Sequence, residues 1–135
     1  MMMNSKLLKT ILIVSGLVAL GIGATILLSP EAFYQTNGIQ LGNNTSLINE
    51  IKAPAGALVV FGIFIMLGAF FKAFRFTSIV MSAALYLAYG LSRLLSISVD
   101  GMPSESLVQA AIIELVIGLV CVFALVKFRV KQVES

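Results

Sequence analysis

The chain has 135 residues, 59% of them hydrophobic and only 11% charged, with a mean hydropathy of +1.05; a water-soluble domain carries about 25% charged residues, so too few polar side chains remain here to cover a soluble globule. The formal net charge of +3 comes from basic residues that flank apolar segments without interleaved aromatics, which argues against a nucleic-acid surface. Histidine is absent and Cys121 is the only cysteine, which excludes Ser/His/Asp and Cys/His triads, the usual zinc sites and any intrachain disulfide; no cofactor is expected.

Four apolar stretches organise a single domain: Ile11 to Leu28, about Ala55 to Phe71, about Thr77 to Ser98, and Leu107 to Val126. Each is near the ~20 residues that a helix needs to cross a hydrocarbon core of about 30 Å. None alternates with period two, and lipid admits only helices or closed barrels. The expected fold is therefore all-α, an antiparallel four-helix transmembrane bundle with helices about 10–29, 54–72, 76–98 and 106–127.

Lys6 and Lys9 precede the first stretch as they would in a signal peptide, but its apolar run exceeds the ~7–15 residues of such a segment and no A-x-A site follows. A retained helix is expected, and Met1-Met2-Met3 leaves the initiator open. After it, Ser29-Pro30-Glu31 reads as a helix start, with Ser as N-cap, Pro in the first position and an acid in the first turn. Ala32, Phe33 and Tyr34 would lay this short helix on the outer headgroups. Asn37-Gly38 turns the chain, and Gly42-Asn43-Asn44-Thr45 reads as a polar loop.

Glu50-Ile51-Lys52 is expected just before helix two, with Pro54 in its first turn. Lys72-Ala73-Phe74-Arg75 is a brief link that pairs helices two and three, and Val99 to Ser106 links helices three and four. A short, frayed tail is expected after Lys127. Lys6 and Lys9, Lys72 and Arg75, and Lys127, Arg129 and Lys131 all fall on one side. Lys52 with Glu31, Glu50, Asp100 and Glu105 falls on the other. The positive-inside rule then makes both termini cytoplasmic.

Helix three carries the most informative pattern. Ser82, Tyr86, Tyr89, Arg93, Ser96 and Asp100 recur every three or four residues and share one face, which should point inward. Arg93 lies about five residues from the outer end, roughly 8 Å deep, and Glu114 in helix four about seven residues in, roughly 10 Å deep. An unpaired charge costs roughly 2.5–3.5 kcal/mol at the bilayer centre. An Arg93–Glu114 ion pair is therefore expected, either fixing helix register or bordering a polar vestibule. Glu50, Lys52, Arg93, Asp100 and Glu114 all lie in the outer half, with Tyr86, Tyr89 and Ser96 on the same face. Ser15, Ala19 and Gly23 on helix one, Ser78 and Ser82 on helix three, and Ala111, Gly118 and Cys121 on helix four are expected at helix–helix contacts, with Gly56 and Gly62 thinning helix two. The Cys121 thiol, between Val120 and Val122, is expected in hydrocarbon.

Several short motifs stand in a specific order: Ser29-Pro30-Glu31, Asn49-Glu50-Ile51-Lys52-Ala53-Pro54-Ala55-Gly56, Gly68-Ala69, Tyr89-Gly90-Leu91-Ser92-Arg93-Leu94-Leu95-Ser96, Asp100-Gly101-Met102-Pro103 and Glu114-Leu115. In these the chain resembles, over nearly its whole length, a family of small bacterial membrane proteins known as domain of unknown function 4345. Lys52 and Ala55 depart from the arginine and aromatic that this pattern often carries. The resemblance implies a four-helix protein of the inner membrane and implies no activity. Two functions fit the residues. One is a binding module that holds a membrane lipid or amphiphilic small molecule in the vestibule, with Arg93 as a partner for an anionic group. The other is an accessory subunit docked on a larger membrane-protein complex. An enzymatic reading would rest on acids and tyrosines alone.

Overall fold

The computed structural model describes the backbone of residues 5–134 and the side chains of residues 5–129. The Met1-Met2-Met3 question and the Lys131 side chain lie outside the described residues. Five α-helices follow in order: α1 (Ser5–Leu28), α2 (Pro30–Thr36), α3 (Thr45–Phe70), α4 (Arg75–Asp100) and α5 (Glu105–Glu134), with a single 3-10 turn at Lys72–Phe74. No strand occurs among the described residues.

Four of these helices are long and apolar enough to cross a membrane. Only 33% of the most apolar window of each of the first three is buried within the protein, and 22% of the last. Most of their leucine, valine and phenylalanine surface therefore faces outward, including Leu17, Phe61, Leu95 and Leu119. Surface of that extent is stable against hydrocarbon and costly against water.

Small residues set the packing. On α1 and α3 the buried small residues are seven apart in sequence: Gly16 and Gly23 on one side, Ala55, Gly62 and Ala69 on the other. A Cβ at Gly62 would lie 2.7 Å from the backbone nitrogen of Leu20 and 2.8 Å from the carbonyl oxygen of Gly16. One at Gly23 would lie 2.6 Å from the Ala55 carbonyl oxygen. The two backbones touch directly, as small-residue interfaces allow in lipid. The α4–α5 contact uses glycine differently: Leu115 sits over Gly90 and Leu87 over Gly118. Gly56, expected at a helix contact, faces open space.

The end of the molecule nearest the α3–α4 connection is solid. Leu8, Leu12, Ile65, Ala69, Ile79 and Ala124 form one buried cluster there. Ser78 donates to the Phe64 carbonyl across the α3–α4 contact at 2.7 Å. Arg75, read from sequence as a flanking charge, is only 7% exposed. Its Nε donates to the Gly68 carbonyl at 3.0 Å and its Nη2 to the Ala69 carbonyl at 3.3 Å. These carbonyls belong to the last turn of α3, which has no helical donors of its own, and a cation complements the negative end of the helix dipole. Further along, Cys121 is fully buried in protein, not in hydrocarbon: Ser82 Oγ lies 3.1 Å and Ser15 Oγ 3.7 Å from its Sγ.

Two boundaries differ from the sequence reading. Helix two was expected to begin at about 54; α3 begins at Thr45, so Glu50 and Lys52 are helical and Pro54 is interior. Asn44 explains the early start: its side chain accepts from the Leu47 backbone nitrogen at 3.1 Å and caps the helix. The α5 backbone stays helical to Glu134 where a frayed tail was expected.

Gly62→Val should lower stability by about 1–3 kcal/mol, because its side chain meets backbone that cannot move aside. Gly56→Ala should raise it by about 0.5–1 kcal/mol through helix propensity alone. Thermal unfolding in mild detergent, followed by circular dichroism, checks both.

Candidate functional site

The α1–α3 and α4–α5 pairs are each closely joined, and α3 also packs on α4, whereas α1 touches α4 and α5 only sparsely. The gap between the pairs is closed at mid-height by Tyr86 of α4, whose hydroxyl donates to the Ser15 carbonyl of α1. A cavity of about 570 Å³, lined by residues of both pairs, includes Tyr86 in its wall. That volume is within the ~300–1,000 Å³ range of small-molecule sites.

The walls are mostly apolar: Val18, Ile22 and Ile26 from α1, Ile51 and Leu58 from α3, Leu85 from α4, and Leu107, Ala110 and Ile113 from α5. Phe33, Tyr34, Asn37 and Ile39 form the roof. Phe33 and Tyr34, expected on the outer headgroups with the polar vestibule beneath them, line the cavity, with their rings edge to face at 5.3 Å. Pro30 starts α2 and Glu31 lies in its first turn, as read from sequence, but Ser29 makes no side-chain capping bond. Gly38, at φ +77°, ends the roof in a conformation that glycine tolerates best. Ser104, in the α4–α5 link, donates to the Asn37 carbonyl at 2.9 Å and ties the roof to the opposite pair.

The polar groups of the cavity are few. Arg93 Nε lies 2.6 Å from Glu114 Oε1, and Arg93 Nη2 lies 3.4 Å from Oε2, a two-point pair between α4 and α5. Their side chains are 32% and 14% exposed, so the pair is partly withdrawn but open toward the cavity. Glu50, Tyr86 and Tyr89 also line the wall. Burial raises the Tyr34 hydroxyl pKa above its ordinary value, and the Arg93 charge opposes this in part. Tyr34, like any tyrosine, is neutral at physiological pH and can donate a hydrogen bond.

The remaining expected site residues stand elsewhere. Ser96 and Asp100 are exposed and bond to each other at 2.9 Å. The α4 face that holds Ser82 and Tyr86 inside has turned to the surface by this point. Lys52 is half-buried and does not line the cavity. Two residues from Glu50 on a helix, it faces another direction. The sequence reading also missed the roof residues Asn37 and Ile39. Their one local signal was the Asn37-Gly38 turn, which folds the chain back over the opening.

A family model described as Domain of unknown function (DUF4345) matches residues 7–125. No curated protein and no solved structure matches the chain.

The ion pair predicts a coupled response. Arg93→Gln and Glu114→Gln should each cost about 1–3 kcal/mol, because each leaves a partly buried charge without its partner. The double variant should cost less than the two losses together, and the exchange Arg93→Glu with Glu114→Arg should recover part of it. A double-mutant cycle of unfolding in detergent measures the coupling.

Proposed function

The chain belongs to the DUF4345 family, and from that premise we propose that it is a four-span protein of the bacterial inner membrane that holds one lipid or amphiphilic molecule between its helix pairs. The reading takes α1, α3, α4 and α5 as antiparallel spans with both termini cytoplasmic, and α2 as a short helix at the outer interface. Lys6, Lys9, Lys72, Arg75, Lys127 and Arg129 gather at one set of helix ends and Glu31, Glu50 and Glu105 at the other, which supports that orientation. The cavity then opens in the outer half of the bilayer.

The single observation that carries the function is the ~570 Å³ space with aliphatic walls and a few polar groups near its roofed end. An apolar chain gains from lying against Val18, Ile22, Leu58 and Ile113, while a polar head is stabilised near Arg93, Glu114 and Glu50. Tyr86 contributes its ring to the floor; its hydroxyl is already engaged with α1. Arg93 and Glu114 hold α4 against α5 and give the head group a fixed polar surface.

Native mass spectrometry from a neutral maltoside detergent tests the binding. Wild-type protein should retain an amphiphile-sized mass, and Ala110→Phe, which fills the space, should reduce its occupancy about tenfold, equivalent to about 1.4 kcal/mol. Equal occupancy in both would count against the cavity as the site. For orientation, Asn43→Cys should react with an impermeant maleimide in intact cells and Lys72→Cys only after permeabilisation, against a silent background from the buried Cys121.

A further inference from the structure

We propose that the head group held in this cavity is cationic, an alkylammonium seated against Glu50, Tyr34 and Tyr89. The inference rests on the binding function proposed above and names the charge class of its ligand. Three ionised side chains line the cavity: Arg93, Glu114 and Glu50. Arg93 and Glu114 neutralise each other through their two-point contact. Glu50 has no ion-pair partner among the described residues, so the lining carries one negative charge in excess.

Lys52, two residues along α3, is the nearest other cation of this end in sequence. Lys52 does not line the cavity, and Tyr34 carries no charge at physiological pH. The other ionisable groups of this end, Glu31, Asp100 and Glu105, are all acidic, and their summed field favours a cation. An anionic head approaching Glu50 meets a repulsion that an ammonium does not.

The wall also suits an ammonium by shape. The Phe33, Tyr34 and Tyr89 rings line the same space, and aromatic faces attract a cation most strongly where water is thin.

Three probes with one chain length separate the possibilities: dodecyltrimethylammonium, dodecyl phosphate and uncharged dodecanol, titrated into the full-length protein in maltoside micelles and read by native mass spectrometry. The ammonium should bind about tenfold or more tighter than the phosphate, and Glu50→Gln should weaken the ammonium about tenfold and dodecanol by much less. Glu50 is exposed on one side, so this isosteric change leaves packing intact. Phosphate binding equal to or tighter than ammonium, with Ala110→Phe abolishing both, overturns the charge inference and leaves the cavity function standing. An ammonium affinity indifferent to Glu50→Gln overturns the assignment of Glu50. Binding of all three probes that ignores Ala110→Phe overturns the cavity function and this inference with it.

Discussion

The architecture depends on how closely two backbones can approach. Where Gly16 meets Gly62 and Gly23 meets Ala55, α1 and α3 are in contact along their main chains, with Met66, Leu58 and Val59 packed against the glycines. Leu115 over Gly90 and Leu87 over Gly118 lock the second pair just as firmly. Hydrocarbon offers no hydrophobic gain for bringing helices together, so this close packing and a few polar links must hold the fold. The cavity at the roofed end lies between the two closely packed pairs.

That opening is maintained by polar links at defined heights. Ser78 on Phe64 closes one end, Ser82 and Ser15 flank Cys121 in the middle, and Tyr86 reaches α1 above them. Arg93 and Glu114 follow, and Ser104 fastens the roof. The α4 helix supplies most of these groups, which is why its polar face runs unbroken along the sequence. Its inner part joins helices, its middle part lines the cavity, and its last turn meets solvent through Ser96 and Asp100.

Much of this was legible from residue order, and the parts that were not have physical reasons. Long apolar runs identify α1, α4 and α5 because length and composition alone decide them. The similar depth of Arg93 and Glu114 follows from helix rise, since both are counted from the same link. The start of α3 was misread because Pro54 usually opens a helix; the Asn44 cap and contacts with α1 carry the helix across it. Arg75 looked like any cation at a helix end, because a bond to backbone carbonyls has no signature in side-chain spacing. Lys52, two positions from Glu50, seemed to belong with it until helix geometry separated them. The cavity itself is a property of packing between pairs, invisible to any one segment.

Arg75 carries one more consequence. A guanidinium satisfied by the Gly68 and Ala69 carbonyls needs no acidic companion, so the short connection can bury it without recruiting one. Once the hairpin closes, that cation is withdrawn into the α3 terminus and Lys72 alone remains outside. The surface of the folded protein at this connection therefore shows one basic group fewer than the sequence there contains.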